Sequence, residues 1–350
     1  MPVTGPLPAP AAIETVAALD ELLSRPTPAL VEGIRRLSSP LLVLGAGGKM
    51  GPTLCVLARR AAEEAGHPLE IVAVSRFNDL RARDWLEARG VRTQVADLLD
   101  PAAYALLPDT ANVVYLVGLK FGTAQNPSTT WAMNTLVPWH TCERFQRSRI
   151  VALSTGNVYP MSATDGTGSV ETDPLTPVGE YPNAAVARER LFEFESRHRG
   201  TPVALLRLFY AMELRYGVVH DLAQRIHLGQ PIPLGNGAFT CIWQRDANEM
   251  ALRSFDLAQS PPSVWNLCQP TVFSTRTVAR RLGELLGREP HFEGSEAPTA
   301  LTGDAAAICA ALGNPGTSME DILRWTAHWV KAGGTSFNKP THFEVRDGRY

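Results

Sequence analysis

The chain has 350 residues, 45% of them apolar and 19% charged, which is enough apolar matter for a large core and too much for a disordered chain. With 33 Lys and Arg against 35 Asp and Glu, the net charge is −2 and the basic residues are scattered, so nucleic acid is not an expected partner. The length suits one α/β domain carrying a smaller lobe.

Residues 1–10 are proline-rich and are expected to form a loose arm. From Ala11 to Leu37 apolar residues recur at helical spacing, broken by Pro26 and Pro28. That predicts two short helices outside the main fold, so residues 1–40 form a helical N-terminal extension. Residues 41–44 are a short apolar run entering a glycine cluster, the pattern of a buried strand turning into a helix. Similar runs follow at 71–74, 91–95, 113–117, 150–153 and 203–206, the last after a charged helical segment over 184–198. Strands alternating with helices predict the α/β class: a doubly wound, Rossmann-type parallel sheet with both faces covered, over residues 41–209. After Phe209 the alternation is broken by Pro231, Pro233, Gly235 and Gly237, and helical patterns return at 274–286 and 318–332. Residues 210–330 are therefore expected to build a smaller substrate lobe, followed by a tail over 331–350.

The longest nearly uncharged apolar stretch, 111–119, is about half of a membrane span, so no membrane partner is expected. Glu14, Asp20 and Glu21 interrupt the pattern a signal peptide would need. Cys55, Cys142, Cys241, Cys268 and Cys309 are widely spaced with no CxxC, which argues against a metal site and a disulfide framework and for a reduced cytoplasm.

The glycine cluster reads Gly45-Ala46-Gly47-Gly48-Lys49-Met50-Gly51. Gly45 permits a tight turn, Gly48 lets a pyrophosphate approach the backbone, and Gly51 lets the following helix pack closely. Lys49 and Met50 complete this candidate cofactor turn. The second strand ends at Ser75-Arg76, where an acidic residue would select NAD. A hydroxyl beside a guanidinium suits a 2′-phosphate instead, so NADP is favoured, with NAD as the alternative.

Further segments follow in order: Asp97-Leu98 in an acidic turn after the third strand, Val117-Gly118-Leu119-Lys120 after the fourth, and Asn134 in a helix. Ser154-Thr155-Gly156-Asn157-Val158-Tyr159 comes next, then Glu171, Pro174, Pro177 and Tyr181, Leu206-Arg207-Leu208-Phe209, Asp246, and Leu312-Gly313-Asn314-Pro315. As an ordered set over roughly residues 41–330, this resembles the extended short-chain dehydrogenase/reductase superfamily, in its NAD-dependent epimerase/dehydratase family. The resemblance implies that Thr155 and Tyr181 are catalytic. It implies cofactor contacts from Asp97, Leu98, Val117, Gly118, Lys120, Asn134, Tyr181 and Phe209. It also implies a homodimer paired through the helices flanking the fourth and fifth strands.

Two positions depart from the family pattern. Ala185 stands where the family has the lysine of YxxxK, which holds the nicotinamide ribose and lowers the tyrosine's pKa. A cation about 4 Å from a phenolate stabilises it by roughly 1–4 kcal/mol, so the loss weakens the phenol as an acid by about one to three pKa units. Lys120 is the expected stand-in as a catalytic residue; Arg188, one helical turn beyond Ala185, is expected to lie too far away. The second departure is Phe239, seven residues before Asp246, where nucleotide-sugar members carry an arginine for the diphosphate. A smaller substrate is expected, contacted by Tyr210, Glu213, Arg215 and Tyr216. The tail's His342 or Arg346 are further candidates.

Together these point to an NAD(P)-dependent oxidoreductase or epimerase/dehydratase for a small sugar, sugar acid or hydroxy-carbonyl compound. The alternative is an NADP(H)-binding regulator that senses the coenzyme without turnover.

Overall fold

The computed structural model describes residues 10–119, 125–339 and 341–348. Its sheet has seven strands: β1 (Leu41–Leu44), β2 (Ile71–Ser75), β3 (Arg92–Val95), β4 (Asn112–Tyr115), β5 (Arg149–Thr155), β6 (Val203–Leu208) and β7 (Ser263–Leu267). They run in the order β7-β6-β5-β4-β1-β2-β3, and each neighbouring pair is parallel. The winding reverses between β1 and β4. That switch point leaves a crevice at the carboxyl ends of the strands, the place where open α/β sheets take ligands.

Helices α1 (Val16–Leu23) and α2 (Pro28–Ile34) precede the sheet. Helices α3 (Gly51–Glu64), α4 (Leu80–Glu87), α5 (Pro127–Arg144) and α6 (Glu180–Arg199) lie between its strands. After β6 come α7 (Val218–His227), α8 (Gln244–Arg253), α9 (Thr275–Leu286), α10 (Ala306–Leu312) and α11 (Met319–Lys331). Local chemistry fixes the helix that matters most for the site. α6 starts after Gly179 at φ +102°, ends on Gly200 in the left-handed region, and carries Arg197, His198 and Arg199 in its last turn, where the helix dipole favours cations.

Alternation along β1 sends Leu41 and Val43 to one face of the sheet and Leu42 and Leu44 to the other. The first face packs on Leu54 and Ala58 of α3 and on Ala247 and Ala251 of α8; the second packs on Val137 of α5 and Phe192 of α6. Each fully buried leucine or phenylalanine stabilises the fold by about 1.5–3 kcal/mol. A third core lies in the C-terminal lobe, built from Val219 and Leu222 of α7, Val278 and Leu282 of α9, and Trp325 and Trp329 of α11.

Two findings differ from the sequence expectation. The edge strand β7 was not foreseen, because its outer face is only partly covered and its apolar run is broken by Asn266. The N-terminal helices do not lie outside the fold. Leu19, Leu22 and Leu23 of α1 enter the lobe's core, and Leu30 and Ile34 of α2 enter the sheet's, since each helix carries an apolar stripe that needs cover.

Among the described residues no helix is long and apolar enough to cross a membrane, and no His, Cys, Asp and Glu gather into a metal-binding cluster. The five cysteines are free thiols, four of them buried.

Candidate active site

The turn after β1 holds Gly45 at φ +82°, and a Cβ there would meet the Val117 amide nitrogen at 2.9 Å. A Cβ on Gly51 would meet the Ala46 carbonyl oxygen at 2.3 Å, so α3 rests directly on the turn. Gly48 is the contrast: only the Gly45 oxygen lies near its missing Cβ, at 3.4 Å, and its outer side is open. A tight turn, a helix seated on it and an uncovered backbone between them form a cradle for a dinucleotide's pyrophosphate.

Two adjoining cavities of about 280 and 350 Å³ share Gly45, Gly48, Leu116 and Gly118 and form one trough along the carboxyl edge. The larger is lined by Ser75, Arg76, Asp79, Asp97, Leu98, Val117 and Met133. Asp97 is held there by accepting from the Leu99 amide at 3.0 Å. The smaller is lined by Lys49, Met50, Gly51, Thr155, Asn157, Tyr181, Arg188, Phe209, Tyr210, Tyr216 and Thr341. Residues from Gly45 to Thr341 thus converge on one crevice.

Thr155 ends β5, and its hydroxyl accepts from the Asn157 amide at 3.2 Å and from Asn157 Nδ2 at 3.1 Å. With both acceptor positions filled, the hydroxyl is left to donate its proton into the cavity. Tyr181 sits in the first turn of α6 and is 7% exposed. One turn on, Ala185 is buried in the core and does not line the cavity. Two turns on, Arg188 does line it, donating from Nη1 to the Val117 carbonyl at 3.0 Å. Arg188 was expected to lie too far away, yet it borders the same cavity as Tyr181, consistent with a helical side chain leaning toward the N-terminus. Lys120 lies outside the described residues.

Lys49 reaches across to the lobe, where Nζ donates to the Ala211 carbonyl at 2.7 Å and sits 3.7 Å from the centre of the Tyr216 ring. Burial pushes the Tyr216 phenol well above its ordinary value, with Asp221 and Tyr181 adding to the effect, so it serves as a neutral hydrogen-bonding group. Glu213 and Arg215 do not reach the cavity. They pair with each other at 3.0 Å, and Arg215 also pairs with Asp20 of α1 at 3.2 Å, because each charge is better satisfied by its neighbour than left facing a pocket. Asn134 is buried in α5 and donates to the Thr130 carbonyl at 2.8 Å, away from the trough. Phe239 packs on Phe273 with ring centres 6.0 Å apart in the lobe's core.

The tail folds over the lobe. Thr341 gives its amide and hydroxyl to the Asp221 carboxylate at 2.8 and 2.6 Å and borders the cavity. Arg346 is taken up by Asn236 Oδ1 and the Thr299 carbonyl, both at 2.6 Å, and neither it nor His342 lines the site. Thr341 and Asn157 were not singled out as site residues by sequence reasoning. The one belongs to a long-range fold-back, and the other lay inside a motif read only for Thr155.

A doubly wound parallel sheet with an open glycine cradle at its switch point defines a Rossmann-type dinucleotide-binding protein. Residues 41–266 match the NAD dependent epimerase/dehydratase family, and the chain belongs to that family of enzymes. No curated protein matches the chain by sequence. Among solved structures it is similar to a mutant UDP-glucuronic acid 4-epimerase from Bacillus cereus, in complex with UDP-4-deoxy-4-fluoro-glucuronic acid and NAD (18% identity, 84% of this chain and 99% of that one, TM-score 0.70). It is also similar to UDP-glucose 4-epimerase with UDP-glucose from Thermotoga maritima (16% identity, 84% and 99%, TM-score 0.68). A third is a putative epimerase from Burkholderia cenocepacia J2315 (21% identity, 85% and 99%, TM-score 0.68). At these identities the likeness is one of fold.

Proposed function

We propose that the chain is an NADP-preferring epimerase/dehydratase or oxidoreductase that acts on a small sugar, sugar acid or related hydroxy-carbonyl compound. The observation that carries this reading is the pairing of Thr155 and Tyr181 on one cavity wall, with the Thr155 hydroxyl committed to donation by its two bonds from Asn157. Two hydroxyls converging on one substrate oxygen polarise it and exchange its proton as the attached carbon changes oxidation state. The nicotinamide coenzyme, when bound, supplies reversible acceptance of hydride from that carbon. Tyr181 supplies or removes the proton at the oxygen; Thr155 holds that oxygen in place; Tyr216, Tyr210 and the tail at Thr341 narrow the access of water.

The family lysine is replaced by the buried methyl of Ala185, so the site is atypical. The preference for NADP rests on Arg76, exposed on the trough wall beside Ser75 with no acidic residue at the strand end. The small substrate rests on Phe239, whose ring is committed to the core and offers nothing to a diphosphate. Pairing into a homodimer through α5 and α6 is supported by Leu136 and Phe194, which these helices leave exposed.

The test is incubation of the purified protein with NADP or NAD and a panel of sugars and sugar acids, followed by absorbance at the reduced-nicotinamide band and by NMR of the sugar. Turnover or isomerisation that disappears in Tyr181→Phe is expected. Coenzyme binding with no change in any sugar would overturn the reading in favour of a sensor.

A further inference from the structure

Arg188 is 4% exposed and has no carboxylate within 4.0 Å among the described residues. The other buried arginines are paired: Arg207 lies 2.8 Å from Glu189, and Arg245 lies 2.8 Å from Glu249. Among the described residues the Arg188 guanidinium has one bond, from Nη1 to the Val117 carbonyl, and its Nε is sealed from water without a partner. A buried cation left with unmade hydrogen bonds is costly, and the fold retains it in a cavity wall. Such a group is complementary to something that arrives.

The trough says what arrives. Adenosine belongs at the end of β2, beside Ser75 and Arg76, and the pyrophosphate on the open turn at Gly48. The second ribose must then lie beyond the turn, between Gly118 and Tyr181. Arg188 stands there, with Nη1 3.0 Å from where a Gly118 Cβ would sit. Ala185, one turn after Tyr181, carries no charge that could serve there.

We propose that Arg188 is the coenzyme-anchoring cation of this site, donating to the hydroxyl oxygens of the ribose that carries the nicotinamide. The inference rests on the coenzyme binding proposed above. It assigns to α6 itself, seven residues after Tyr181, the positive charge that the family pattern would place at Ala185.

The experiment compares two ligands by titration calorimetry: the dinucleotide, and ADP, which keeps the adenosine and pyrophosphate but has no second ribose. Arg188→Met should lose about tenfold or more in affinity for the dinucleotide, as expected for lost charge-assisted hydrogen bonds, and stay within about twofold for ADP. The ligand-free variant should melt no lower than the wild type, because an uncompensated charge has been removed, whereas a purely structural arginine would lower the melting point. Arg188→Gln carries the same expectation should the methionine variant fail to fold. Unchanged dinucleotide affinity, or equal losses for both ligands, overturns this assignment alone. Failure of the wild type to bind either ligand overturns the function proposed above and this inference with it.

Discussion

Arg207 Nη2 lies 2.8 Å from the Glu189 carboxylate, with both side chains about 5% exposed or less. The pair joins α6 to β6, and its surroundings complete it: Arg207 also donates to the Tyr159 hydroxyl at 2.6 Å and to the Glu171 carbonyl at 3.0 Å, and Ser154 donates to Glu189. Because α6 carries Tyr181 at one end and Arg188 in its middle, the pair fixes the helix on which the site depends. Glu189→Ala leaves a guanidinium buried without its partner and should cost about 3–5 kcal/mol in urea unfolding. A loss below about 1 kcal/mol would show that the pair does not hold the helix.

The proposed choice of coenzyme places its 2′-phosphate at the other end of the trough, beside Arg76. Arg76→Ala should weaken NADP by about tenfold or more, the loss of a charged hydrogen-bond donor to a phosphate. NAD should change by no more than about twofold. Equal losses for the two would show that no 2′-phosphate is recognised there.

His220 gives the fold an acid-sensitive contact. Burial lowers its pKa from 6.5 to about 4, and its Nε2 lies 3.1 Å from the Ser336 hydroxyl at the start of the tail. Above pH 6.5 the ring is neutral in both folded and unfolded chains. Between pH 6.5 and 4 the unfolded chain takes up a proton that the folded one refuses, so stability falls with pH, by about 3 kcal/mol at pH 4. His220→Gln should flatten the thermal midpoint over that window. An unaltered slope would place the acid sensitivity elsewhere.

Leu136 and Phe194 are 48% and 56% exposed on the two helices proposed to pair. Light scattering should give twice the chain mass, and Leu136→Glu with Phe194→Glu should give the single-chain mass. A monomeric wild type would remove the dimer.

Short apolar runs placed β1, β2, β4, β5 and β6, because buried parallel strands leave continuous Leu, Ile and Val runs; β3, a partly exposed edge strand reading Arg92-Thr93-Gln94-Val95, was placed by its position after the helical segment that ends at Gly90. The glycine spacing located the cradle, because each glycine there answers a close contact or an open face. The seventh strand was illegible because its apolar pair Val264-Trp265 is cut short by Asn266, in a part of the chain where the alternation of strands and helices is already broken. Glu213 and Arg215 misled because two polar residues near a lobe look alike whether they face a ligand or each other. Arg188 was named and set aside, because counting backbone turns leaves out the direction and reach of its side chain. Thr341 needed the path of the tail, which no local pattern encodes.

The most direct measurement is titration calorimetry of the wild-type protein with NADP, NADPH, NAD and NADH. The trough at Gly45, Gly48 and Gly118 predicts saturable one-to-one binding of at least one of them, tightest for a 2′-phosphorylated form. Flat traces with all four would contradict the account at its root.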